Sequence, residues 1–136
     1  MVRHLGSTDL NISFSGAVLT PICRADTEDS WQKDVDQLMK YASMSNYTDL
    51  IRAVTVGSES LYRNQHDVTS GLTADVLSQR IDKTKAALAT ANLGDKYLLG
   101  TADSWNIFQD GTANPVIRNK NTTLLLDWHL YTTNHN

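Results

Sequence analysis

Apolar residues recur along the chain with two alternating periods, and those periods predict helices and strands in turn. Between Glu28 and Ser43, the residues Trp31, Val35, Leu38, Met39 and Ala42 fall on one face at helical spacing, with Asp26 or Thr27 placed to cap the start. Leu50 to Gly57 is then a β-branched, apolar run that reads as a strand. Thr73 caps a second helix to Ala91, with Leu77, Ile81 and Leu88 as its apolar stripe and Gly94 as its stop signal. Lys96 to Ala102 is the next strand. A helical turn over Pro115 to Arg118 leads to a further strand at Thr122 to Trp128. Strand and helix alternating in this way predict an α/β fold with a parallel sheet.

Parallel strands joined by crossovers of one hand put their carboxyl ends on one rim, with neighbours about 4.8 Å apart. What the sequence places on that rim carries the candidate chemistry. Val54-Thr55-Val56 stops at Gly57, and Glu59 follows where the chain leaves the sheet. Locally, a strand end with a solvated glutamate reads the same way. The next strand runs Leu98-Leu99-Gly100-Thr101-Ala102 into Asp103, Ser104 and Trp105. Glu59 and Asp103 are therefore expected on the same edge, with Trp105 close by. An exposed indole there would stack on the apolar face of a sugar ring, and a loop-packing tryptophan is the other reading.

Three segments together, VTVGSESLYR (54–63), LTADVLSQRID (72–82) and GTADSWNIFQDGTANPVI (100–117), closely resemble the fungal cell-wall glucanases and β-glucosidases of glycoside hydrolase family 17. The resemblance spans residues 26–118, with the segments in the family's order. It implies a (β/α)8 barrel that cleaves β-glucosidic bonds, typically of β-1,3-glucan, with retention of configuration. In that family the glutamate of V-G-S/N-E is the general acid/base, which falls here on Glu59. Asp103, Trp105 and Tyr62 are the expected substrate-binding residues, Asp103 through a hydrogen bond to a substrate hydroxyl. The family's nucleophile is a glutamate in a motif of the form S/T-E-x-G-W-P, and none of the 136 residues forms it.

Length points the same way, since a complete barrel usually needs roughly 200 residues or more. The fold expected is thus a partial (β/α)8 TIM barrel lacking several strands, a single incomplete domain over residues 1–136, with 1–25 and 119–136 divergent. Val2 to Asn11 resembles a degraded second strand of the family, with Leu10 where the family has cysteine. Ile12 to Ala25 is too short for both a helix and the third strand. The chain reads as a truncated or rearranged member, either an enzyme segment or a catalytically inactive, glucan-binding remnant. Half a barrel would leave the faces of Val54, Val56, Leu98 and Leu124 uncovered and the chain prone to associate.

Composition narrows the partners. At 40% hydrophobic, 20% charged and a net charge of −3, the chain is of globular type. No basic run or face suits phosphate binding, so nucleic acid is not an expected partner; β-glucan polysaccharide or oligosaccharide is, from the resemblance. No stretch approaches the roughly 18 consecutive apolar residues of a membrane span. No secretion signal follows Met1, whereas the sequons at Asn11, Asn46 and Asn121 are of use only to a secretory protein, and the resemblance implies a secreted, cell-wall location. His4, His66, His129 and His135 are scattered, Cys23 has no partner for an internal disulfide, and neither a metal nor a cofactor is expected.

Overall fold

The computed structural model describes residues 3–4, 18–22 and 27–127. The strands are β1 (Arg3–His4), β2 (Val18–Ile22), β3 (Ile51–Ser58), β4 (Leu98–Asp103) and β5 (Leu124–Asp127). They form one sheet in the order β1-β2-β3-β4-β5, with every adjacent pair parallel. The strands thus lie in the sheet in the order in which they occur in the chain. With crossovers of one hand, that order sends the connecting helices to one side of the sheet, an arrangement compatible with an arc of a (β/α)8 barrel. The expected parallel pairing of the strands near 50–57 and 96–102 is present, with Val54 opposite Leu99 and Thr55 opposite Gly100.

Helix α1 (Glu28–Ala42) starts at Thr27, whose hydroxyl accepts the N–H of Ser30 while the Ser30 side chain returns to the Thr27 backbone in a capping box. Trp31, Val35, Leu38 and Ala42 are buried as the spacing predicts; Tyr41 joins them, and Met39 is only partly buried. A short helix α2 (Ser45–Thr48) precedes β3, and helix α3 (Ser60–His66) follows it. Helix α4 (Ala74–Thr90) is capped by Thr73 and buries Leu77, Ile81 and Leu88. It packs on β3 and β4 and against α1. Its stop signal is Asn92 and not Gly94: Asn92 takes the left-handed conformation at φ 60°, and Leu93 N–H reaches back to Leu88 O at 2.9 Å. The last helices are α5 (Trp105–Gln109) and α6 (Asn114–Arg118).

Alternation along β3 sends Val54 and Val56 into one core with Leu99, Leu77, Ile81 and the apolar stripe of α1. Val54 and Val56 are fully buried, which corrects the expectation that half a barrel would leave them uncovered. Leu98 is the residue that remains uncovered, 49% exposed, and Leu124 is half-buried. Buried Arg80 and exposed Lys83, both on α4, pair with Glu28 at the start of α1 and lie over the Trp31 ring, and the Trp31 indole donates to the Thr84 hydroxyl at 3.1 Å. No described helix is long and apolar enough to cross a membrane. Cys23, Trp128, His129, His135 and the sequon at Asn11 lie outside the described residues.

Candidate active site

The carboxyl ends of β3 and β4 carry the candidate residues, and the backbone there is unusual. Gly57 has φ +77°, a conformation that favours glycine, and a Cβ on it would stand 2.5 Å from the Ser60 hydroxyl. Two residues on, Glu59 is itself left-handed, at φ 51° and ψ 30°. Such a conformation is costly for a side chain with a Cβ and persists where surrounding contacts enforce it. Here the Glu59 N–H donates to Ala102 O on β4 at 2.9 Å, and Glu59 O receives the Arg63 N–H at 2.9 Å. The turn is thereby fixed to both the neighbouring strand and the helix it opens.

Glu59 is the N-cap of α3 yet makes no side-chain cap bond. Asp103, 42 positions along the chain, supplies it instead. The Asp103 Oδ2 accepts the Leu61 N–H at 3.0 Å, Oδ1 accepts the Ser104 N–H at 2.8 Å, and the Tyr62 N–H adds a further bond to the same carboxylate. Asp103 is fully buried. Burial pushes its carboxyl above the ordinary aspartate range; the N–H groups of Ser104, Leu61 and Tyr62 draw it back, and the nearby Glu59 carboxylate adds to the rise.

Tyr62, in the first turn of α3, and Trp105, the first residue of α5, are 37% and 55% exposed. The Tyr62 ring packs on His66 at a tilt, with centroids 4.2 Å apart. Thus Glu59, Tyr62, Asp103 and Trp105 lie at or just beyond the carboxyl ends of β3 and β4, with Glu59 partly exposed, the two rings on the surface and Asp103 buried.

Several residues that shape this rim carry no sequence-level signal. Ser60 is fully buried, and its carbonyl accepts the Leu72 N–H at 3.1 Å. Arg63 donates to Ser58 O and the Ser60 hydroxyl. Gln65 binds Asp110 Oδ2 at 3.0 Å, tying α3 to the loop after α5. Most of these bonds join segments twelve to forty-five positions apart or involve backbone atoms, so composition does not announce them. Among the described residues, no three His, Cys, Asp or Glu side chains converge as a metal site.

Comparison with known proteins gives no matching family model. The chain is 37% identical over 92 residues to a glucan 1,3-beta-glucosidase of Arthroderma benhamiae, covering 68% of this chain and 25% of that protein. It is 44% identical over 80 residues to a glucan 1,3-beta-glucosidase of Schizosaccharomyces pombe, covering 59% and 22% respectively. The chain therefore spans about a quarter of the length of the curated relatives it matches. These similarities support kinship with glucosidases broadly.

Proposed function

We propose that this chain carries the proton-donating side of a glycoside hydrolase acting on β-glucosidic bonds of the β-1,3-glucan type, in the manner of glycoside hydrolase family 17. The observation that carries the reading is Glu59, held in a left-handed turn at the carboxyl rim of parallel strands, with exposed Tyr62 and Trp105 on the helices that follow β3 and β4. Active sites of (β/α)8 enzymes sit at that rim, and the Arthroderma benhamiae and Schizosaccharomyces pombe relatives are named glucan 1,3-beta-glucosidases. In this reading Glu59 is the general acid/base that protonates the leaving glycosidic oxygen and later activates water. Trp105 and Tyr62 offer apolar platforms to the sugar rings. Action outside the cell on wall glucan is part of the same proposal.

A retaining glycosidase needs a second carboxyl group about 5 to 5.5 Å from the first to attack the anomeric carbon. The chain has two glutamates, Glu28 and Glu59, and Glu28 is engaged by Arg80 and Lys83 in the helix layer. A second reading for the 136 residues by themselves is glucan binding without turnover.

Titration with laminari-oligosaccharides tests what the two readings share. Trp105 emission should shift saturably and the response should vanish in Trp105→Ala, with α-linked glucan oligosaccharides giving no response. An absent response to β-1,3-linked oligosaccharides, or an equal one to α-linked ones, would sink both readings.

A further inference from the structure

A helix-capping residue normally turns its own side chain back onto the free N–H groups of the first turn. Glu59 does not, and two of those groups are nonetheless satisfied at the start of α3, because the Asp103 carboxylate from β4 takes the N–H groups of Leu61 and Tyr62. The effect is to separate two jobs that one carboxylate would otherwise combine. A side chain capping its own helix points inward along the helix axis, whereas Glu59, relieved of that task, remains partly exposed at the rim.

We propose that Asp103 is a positioning residue for Glu59: its buried carboxylate caps α3 from the neighbouring strand, holds the left-handed turn, and leaves the Glu59 carboxylate free to face a ligand. The inference rests on the reading of Glu59 as the proton donor only for its functional meaning; the backbone coupling is independent of it. The fixings are complementary. Ala102 O binds the Glu59 N–H, and the next residue, Asp103, binds the N–H groups two and three positions beyond Glu59. One dipeptide of β4 therefore grips the turn on both sides. Substrate contact by Asp103 itself is disfavoured by its complete burial and by the backbone donors that occupy both its oxygens. The acidic groups around it are Glu59 and, beside it on β5, Asp127; the basic group of α3 nearest the turn is Arg63, which donates to Ser58 O and Ser60.

The test compares the full chain with its Asp103→Asn and Asp103→Ala variants by NMR. Both variants should speed amide exchange at Leu61 and Tyr62 by about tenfold or more, and should move the Glu59 HN–Hα coupling away from its left-handed value. Exchange in the core of α4 should be unchanged, which separates a local effect from general loosening. In the wild type, acidification should shift the Leu61 and Tyr62 amides and the Glu59 coupling in one common step, and Asp103→Asn should abolish that step. If neither variant folds, the wild-type pH series decides: a common step supports the proposal, and a Leu61 step without one at Glu59 overturns it. An unchanged Glu59 coupling in folded Asp103→Asn also overturns it. Laminari-oligosaccharide binding followed at Trp105 is a separate arm, so loss of the glucosidase reading would leave the backbone result standing.

Discussion

The Asp103 carboxylate accepts the Leu61 N–H at 3.0 Å across 42 positions of sequence, so the end of β4 and the start of α3 are joined by a buried, charge-assisted bond. Everything that distinguishes the rim lies on one side or other of that bond. Glu59 and Ser60 are enclosed by it, Tyr62 lies immediately after it, and Trp105 opens the helix that follows Asp103.

Acid should act on stability in a direction set by burial. Because the folded-state affinity of Asp103 for its proton is raised, the folded chain holds that proton more tightly than the unfolded chain does. The stabilisation gained from holding that proton is therefore full below the ordinary aspartate range and is lost as pH rises through the raised folded value, while the ionised carboxylate keeps its backbone N–H bonds. The difference in unfolding free energy between wild type and Asp103→Asn, followed by urea titration across a pH series, should fall over that window and then level. Above it, the variant should remain less stable by about 1–3 kcal/mol, because an amide presents one acceptor and a misplaced donor to three N–H groups. A pH-independent difference would show that Asp103 is not the group that titrates.

Strands β3, β4 and β5 and the two long helices were legible in the sequence because their signals are local and repeated, whereas β2 (Val18–Ile22) lies in a segment read as too short for a helix and a strand together. Trp31, Val35 and Leu38 mark the face of α1, and Leu77, Ile81 and Leu88 mark that of α4. The short helices α2, α3 and α5 were not legible, since a run of four to seven residues shows too little periodicity. For α3 there is a further reason: its cap comes from Asp103 and not from the residue before it, and a nonlocal cap leaves no mark in the adjacent sequence. The stop of α4 was misplaced because glycine is the stronger general signal, whereas Asn92 tolerates the left-handed position and Leu93 buries its side chain behind it. Glu59 and its aromatic neighbours were found through motif resemblance; the burial that sets Asp103 apart from them is a property of packing.

Gly57 and Gly71 both have positive φ, but they should not tolerate alanine equally. At Gly57 the added Cβ meets the Ser60 Oγ at 2.5 Å, the end of a side chain that can rotate. At Gly71 it meets the Ser60 carbonyl oxygen at 2.1 Å and the Asn64 nitrogen at 2.8 Å, which are backbone atoms. Gly57→Ala should cost about 1–2 kcal/mol, the left-handed penalty, and Gly71→Ala distinctly more. Chemical denaturation of the two variants checks the order, and equal costs would mean that backbone conformation alone decides.

Leu98 and Leu125 lie on alternate faces of the sheet, 49% and 39% exposed, and β5 pairs on one side only among the described residues. Exposed apolar side chains beside a free edge favour self-association. The chain should elute as an oligomer whose size grows with concentration, and Leu98→Lys with Leu125→Lys should shift it toward monomer. Sedimentation velocity at several concentrations measures this, and a wild type that is monomeric throughout would show the edge to be covered.

The last prediction concerns turnover. In the proposed role Glu59 donates a proton to a leaving glycosidic oxygen, but general acid assistance is typically worth about 10²- to 10⁴-fold, a small part of an enzyme's acceleration. The larger share in a retaining glycosidase comes from a second carboxylate that attacks the anomeric carbon. Glu28 is bound into the helix layer by Arg80 and Lys83, and both oxygens of Asp103 are turned to backbone N–H groups, so neither is placed to attack. The 136-residue chain should therefore release no glucose from laminarin or from aryl β-glucosides above background, while still binding β-1,3-linked oligosaccharides. Assaying wild type beside Glu59→Gln decides the matter, because hydrolysis that disappears in the variant would reveal a working partner carboxylate within the chain. Product stereochemistry would then identify its role: retention would require a nucleophile close to Glu59, and inversion a base about 6.5–9.5 Å away that activates water.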